Sequence, residues 1–327
     1  MQGTQKVQIQ NKRVRYEFEL KRNLTVLRGD SATGKTTLID MIEEHSNNGN
    51  DSAIQLICDR PCYVLSGTTW KGQLSEMHDS IVFIDEGNAF VVTDEFSNVI
   101  QKTDNYYVIV SREALPNLLY SVTEIYGIRT SGKYGGLKQY YHEFYRIYGS
   151  QPIRERIYPQ VIVTEDSHAG FQFFLDACTK NGILCVSSDG KSNMLREATK
   201  QEKDICVLLI ADGAAFGSEM DRVMKFLSVH PDIKLYVPES FEWLILSANP
   251  MKDPDVQNTL ADPGAHIESR QYFSWERFFT RLLTDRTHGT WLQYTKGQIN
   301  PAYLQGEVQK AILEQMKPIV FDKPVET

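Results

Sequence analysis

The run Gly29-Asp30-Ser31-Ala32-Thr33-Gly34-Lys35-Thr36 sets two glycines, a lysine and a hydroxyl at the spacing G-x-x-x-x-G-K-[ST]. Phosphate handling needs these residue types in this order. The glycines let the backbone wrap so that N–H groups of Asp30, Ser31, Ala32 and Thr33 point inward onto phosphate oxygens. Lys35 neutralises the outer phosphates, and the Thr36 hydroxyl, with Thr37 beside it, is placed to coordinate Mg²⁺. A helix beginning near Lys35 adds the positive end of its dipole. The magnesium ion then needs a second acid. Asp85 is the expected one, because it ends the apolar run Ile81-Val82-Phe83-Ile84, fifty positions after Lys35. Glu86 follows directly and is the expected base for an attacking water, so Lys35 and Glu86 are the candidate catalytic residues.

A second set of acids lies in the later half. Glu165 and Asp166 follow VIVT, Asp189 follows CVSS, Asp212 follows LLIA, and Glu239 and Glu242 sit in PESFEW. Carboxylates at the C-terminal edge of adjacent parallel strands converge, and hard oxygen ligands suit Mg²⁺ or Mn²⁺. Glu165, Asp212 and Glu242 are the expected ligands of such a second metal site, which would activate water for phosphodiester cleavage. The plainer alternative makes these acids solvated strand ends or helix caps, and Asp166-Ser167 before HAGFQFF has the cap pattern. Asp189-Gly190-Lys191-Ser192-Asn193 reads either as a phosphate-binding turn or as the turn that opens a helix.

Buried strands alternate with helical segments around these residues. NLTVL, SIVFIDE and NYYVIVSRE are strand-like, and a helix is expected from Lys35 to about His45. Further on, VIVT, ILCVSS, ICVLLIA and IKLYV alternate with four helical segments. The expectation is an α/β chain, with a parallel sheet covered by helices on both faces over 1–150, a second small α/β domain over 151–255, and a mainly helical extension over 256–327. The aromatic run LKQYYHEFYRIYG and the segment SQPIRERIYPQ mark the expected boundary.

The chain has 327 residues, 41% hydrophobic and 24% charged, an ordinary globular balance. Its formal charge of −7 argues against a protein that coats nucleic acid with its whole surface. No apolar run is long enough to span a membrane, and the N-terminal twenty residues read as a strand pair rather than a signal peptide, so the cytoplasm is the default setting. The five cysteines are scattered; Cys58 and Cys62 lack the second ligand pair that zinc requires.

The Gly29–Thr36 and Ile81–Glu86 segments resemble the Walker A and Walker B motifs of P-loop ATPases, and the Asp-Glu ending resembles the additional-strand branch of that superfamily. The resemblance implies Mg-dependent binding and hydrolysis of ATP, with a polar sensor at Ser111, Arg112 or Glu113; Arg129 and Lys133 are weighed as charge-stabilising fingers against solvated loop charges. No N-K-x-D guanine reader follows, which favours ATP over GTP. The order of acids in the later half resembles the Toprim fold of OLD-family nucleases, topoisomerases and primases. It departs at Asp212-Gly213-Ala214, where an Asp-x-Asp is expected, and Asp221 is too far along to substitute. A compact ATPase joined to a Toprim-like effector is therefore implied, acting on nucleic acid or a partner protein, with homo-oligomers compatible. The alternatives are a nucleotide-dependent switch that hydrolyses little and a metal-dependent nuclease regulated by the first domain.

Overall fold

The computed structural model describes residues 1–29, 33–131, 139–148, 155–202 and 204–321. The chain is α/β and divides into two compact units, one of residues 1–149 with 262–274, the other of residues 150–261 with 275–327. The stretch 256–327 is thus shared between the units. Among the described residues no helix is long and apolar enough to cross a membrane.

The first unit opens with β1 (Gln5–Gln10) and β2 (Val14–Leu20), an antiparallel pair with Val7 opposite Phe18 and Ile9 opposite Tyr16. Their period-two alternation puts these side chains on the buried face. Asn11 closes the hairpin, its Oδ1 accepting the N–H groups of Arg13 and Val14 at 2.8 and 2.9 Å. There follow β3 (Leu24–Leu27), α1 (Lys35–Asn48), β4 (Gln55–Ile57), β5 (Cys62–Val64), α2 (Trp70–Ser75), β6 (Ile81–Ile84), α3 (Asp94–Ile100), β7 (Tyr106–Val110), β8 (Ile125–Thr130) and β9 (Tyr140–Arg146).

These strands form one sheet in the order β4-β1-β2-β9-β8-β3-β7-β6-β5. The expectation of a parallel sheet needs correction: β8-β3-β7-β6-β5 is parallel throughout, but β1 is antiparallel to β2 and β4, and β8 to β9. Tyr140–Arg146 of the aromatic run at the expected boundary form strand β9, and the units divide just after it. Its alternate residues stack on β2, His142 on Tyr16 at 4.9 Å and Phe144 on Phe18 at 4.1 Å between ring centroids.

Alternate residues of the central strands serve opposite faces. Phe83, Tyr106 and Val108 share a cluster with Leu38, Ile39, Met41 and Ile42 of α1. On the other face Tyr107 meets Phe96 of α3, which also packs on Trp70 of α2. The sheet must also be strongly curved. β4 and β5 stand at opposite ends of the nine-strand order, yet are adjacent in the chain. Laid flat, such a sheet would separate its outer strands by about 38 Å, whereas the link from Ile57 to Cys62 reaches at most about 18 Å. The sheet wraps around α1, which packs against β1, β4, β5 and β6.

The second unit holds β10 (Val161–Thr164), α4 (Ala169–Asn181), β11 (Leu184–Ser187), α5 (Met194–Thr199), β12 (Val207–Ile210), α6 (Met220–Leu227), β13 (Ile233–Tyr236), α7 (Phe241–Ala248), α8 (Pro254–Ala261), α9 (Trp275–Thr287) and α10 (Gly306–Leu313). Its sheet is fully parallel, in the order β11-β10-β12-β13. Gly182 ends α4 in the left-handed conformation, φ 66°, and Ser240 caps α7 by accepting the Trp243 N–H at 3.2 Å. The chain leaves β10 toward β11 and returns past it to β12, so the strand order reverses between β10 and β12. Crevices for ligands open at such a reversal.

Candidate functional site

The glycine loop of the first unit joins β3 to α1. Gly29 and Gly34 flank it with φ of 127° and 95°, values that L side chains rarely adopt. Gly34 is constrained a second time. A Cβ there would lie 2.8 Å from the Tyr16 hydroxyl, which donates to the Gly34 carbonyl at 2.8 Å. Burial pushes that phenol up to about 12, so it stays a donor at neutral pH. Lys35 is buried and folds back onto the loop, its Nζ donating to Gly29 O at 2.7 Å and Thr33 Oγ1 at 2.9 Å. Thr36 and Thr37 are exposed on the first turn of α1, and among the described residues no side chain caps that helix at Gly34. Asp30, Ser31 and Ala32 lie outside the described residues.

Strand register brings the other first-unit candidates to the same sheet edge. Leu27 of β3 is level with Val110 of β7, and Ile109 of β7 is level with Ile84 of β6. Gly29, Ser111-Arg112 and Asp85-Glu86 therefore all leave the C-terminal edge of parallel strands. Asp85 is half-buried and accepts the Glu86 N–H at 2.8 Å, while its carbonyl accepts from Asn88 Nδ2 at 2.9 Å. Glu86 is held by Arg112, whose Nε lies 2.8 Å from Oε1 and 3.1 Å from Oε2. Of the three sensor candidates, Arg112 alone reaches the acids this way. Ser111 and Glu113 bond to each other, Ser111 Oγ donating to Glu113 O at 2.8 Å. Arg129 is exposed and paired with Glu143 at 2.9 Å on the neighbouring strand, and Lys133 lies outside the described residues. Sequence reasoning missed Arg28. It is buried at the end of β3, its Nη2 donating to Tyr120 Oη at 3.1 Å and to Glu113 O at 3.2 Å. The only local sign of it is a charge wedged between an apolar strand and a glycine.

The second unit carries an acid-lined cavity of about 300 Å³ at the strand reversal. Glu165 and Asp166 enter from the end of β10, Asp189 from β11, Asp212 from β12, Glu242 from α7 and Glu276 from α9, joined by Tyr294 and Lys296. Glu165 Oε2 accepts the Asp212 N–H at 3.2 Å. Burial pushes the Glu165 carboxyl up to about 7 against the opposing pull of that N–H and of Lys191. Burial also raises Asp212 well above the carboxylate range, and the charges of Glu276, Glu242 and Glu165 add to it. Buried Glu242 accepts from Tyr294 Oη at 2.9 Å, and Glu276 pairs with Lys296 at 2.5 Å. Burial pulls the Lys296 ammonium down, but Glu276, Glu242 and Asp212 together outweigh it and the net shift is upward.

Asp166 is spent on the backbone. It accepts the N–H groups of His168 and Gly170 at 2.8 Å and of Phe171 at 3.3 Å, which is the cap role. The 189–193 segment opens a helical turn, with Gly190 at φ 111°; Lys191 turns inward to Ser218 Oγ at 3.2 Å. Glu165, Asp212 and Glu242 line one cavity, but they are not gathered as expected for a metal. Among the described residues no group of three or more His, Cys, Asp or Glu side chains is placed to hold a metal ion. Glu242 is instead bonded to Tyr294. Glu276, Tyr294 and Lys296 were invisible to sequence reasoning, since nothing in their local pattern ties them to strands far earlier in the chain.

Comparison of the chain with protein-family models and with curated proteins gave no match.

Proposed function

We propose that the first unit binds Mg-ATP and hydrolyses it. The observation that carries this reading is the geometry of the β3–α1 loop, with positive φ at Gly29 and Gly34 and Lys35 Nζ folded onto it. Asp85 and Glu86 at the same sheet edge support it, as does β7 lying between β3 and β6 with Arg112 at its end. In this reading backbone amides and Lys35 hold the phosphates, while Thr36 and Asp85 hold Mg²⁺ and Glu86 orients the water. The second unit then acts as a Toprim-like effector toward nucleic acid or a protein. Its acid cavity supports that role.

A second reading is favoured by one contact. Glu86 is tied to Arg112, so the base is restrained, as in a switch that binds ATP and turns it over slowly. Phosphate release in Mg²⁺ separates the readings. A hydrolase loses at least about a hundredfold in turnover on Lys35→Ala, and Glu86→Gln abolishes turnover while sparing ATP binding. A switch binds ATP with little turnover, and Arg112→Ala then raises the rate by freeing Glu86. Failure of the wild-type chain to bind ATP at all would overturn both.

A further inference from the structure

Arg28 is buried directly before Gly29, and its backbone N–H donates to Tyr126 O at 2.7 Å, which fixes it beside β8. On the other side of β3 the Ser111 N–H donates to Leu27 O at 3.1 Å, so the chain leaving β7 starts next to Arg28. The side chain then grips that segment at two points. Its Nη2 donates to Glu113 O at 3.2 Å and to Tyr120 Oη at 3.1 Å. Glu113 O also accepts from Ser111 Oγ at 2.8 Å, and the Glu113 N–H donates back to that hydroxyl at 3.2 Å. Tyr120 Oη accepts the Leu115 N–H as well, at 3.4 Å.

Arg112 stands inside the Ser111–Glu113 turn and reaches Glu86, yet the two side chains are 58% and 39% exposed. An exposed ion pair holds little by itself, because water screens it and ordering two long side chains costs entropy. Its persistence depends on how firmly the backbone beneath Arg112 is held. We propose that Arg28 is a positioning residue: by bonding the Glu113 carbonyl and the Tyr120 hydroxyl it fixes the turn that keeps Arg112 on Glu86. The glycine-loop end of β3 is thereby tied to the acid that follows β6. The anchor is firm because its donor is a charge in a buried place, where solvent does not dilute a charge-assisted hydrogen bond. Its bearing on turnover rests on the reading that Glu86 orients the attacking water.

Arg129 is the internal control. It is 61% exposed and paired with Glu143 at 2.9 Å, but its backbone is held by the β8–β9 ladder. The test labels the full-length protein with phenylglyoxal, which adds to unpaired guanidinium groups, and maps the modified arginines by peptide mass spectrometry. Arg28→Gln is expected to raise the rate at Arg112 by at least about threefold, toward the rate in Glu86→Gln, with Arg129 unchanged. Ser111→Ala, at a half-buried position, removes the second donor to Glu113 O and is expected to act in the same direction, so the test stands even where Arg28→Gln does not fold. In phosphate release with Mg-ATP, Arg28→Gln is expected to shift turnover the same way as Arg112→Ala, and the double mutant to match Arg112→Ala within about twofold. A merely structural role would instead add to the effect of Arg112→Ala. Unchanged labelling of Arg112 in both Arg28→Gln and Ser111→Ala would overturn the proposal, as would equal acceleration at Arg129. The labelling needs no nucleotide, so a chain that fails to bind ATP overturns the reading of the site while Arg112 still reports on its anchor.

Discussion

The two units each present the C-terminal edge of parallel strands, and they solve opposite electrostatic problems there. In the first, the ammonium of Lys35 is buried against a loop carbonyl and a hydroxyl, inside a turn of backbone that glycines permit. In the second, five separate segments crowd carboxyl groups into one cavity, where burial raises Glu165 and Asp212. One edge sets a buried ammonium beside the acids Asp85 and Glu86, and the other crowds carboxyl groups around Lys296. The contrast teaches that a parallel edge decides only where groups emerge. What it holds depends on whether backbone amides or side-chain acids line it.

The sharpest way to test that contrast is pH. The Glu165 pKa is raised from 4.5 to about 7, so the folded unit binds more protons than the unfolded chain. Its stabilising contribution is complete below about pH 4.5 and is lost as pH rises through about 7; Asp212 acts with the same sign. Glu165 alone should lower amide-exchange protection in β10 and β12 by at most about 3 kcal/mol between about pH 4.5 and about pH 8, before solvent screening. Glu165→Gln should flatten that dependence, and β3 and β7 of the first unit should not follow it. A pH response shared equally by both units would break the comparison.

A smaller effect comes from the cavity's neutral donor. Tyr294→Phe leaves buried Glu242 Oε1 without the hydroxyl that serves it, at a cost of about 2 kcal/mol. Urea unfolding with Glu242→Gln and the double mutant would separate a lost hydrogen bond from lost packing, since the two changes should not add.

The smallest expected effect tests the first edge as a backbone device. Gly34→Ala meets both a φ of 95° and the Tyr16 hydroxyl, and should cost about 1–2 kcal/mol in protection of α1. Tyr16→Phe in the same chain removes the oxygen and should recover the steric part while leaving the conformational part. Recovery of the whole loss would mean that the glycine is needed for space alone.

How much could be read beforehand follows from how local each feature is. The phosphate-type loop is eight consecutive residues between a strand and a helix, so its spacing carried nearly all of its information. The Asp166 cap was legible for the same reason, because its acceptors serve amides two to five residues on. The units divide at 149/150, within the expected boundary stretch, but strand β9 just before it went unread because its alternation is written in Tyr, His and Phe, and its partners β2 and β8 decide which aromatic faces inward. The ion pair of Glu86 with Arg112 is set by the order β7-β6, which no short window contains.

By itself, then, the amino-acid sequence determined the α/β alternation, the glycine loop with its lysine, and the acids at strand ends, because each depends on contacts within a few residues. Only the tertiary structure decided that the first sheet is mixed and wraps around α1, and that Glu276, Tyr294 and Lys296 complete the acid cavity. Those outcomes depend on strand order and on helices returning from far along the chain. Burial, which sets the proton affinity of Glu165 and Asp212, exists only once that packing is complete.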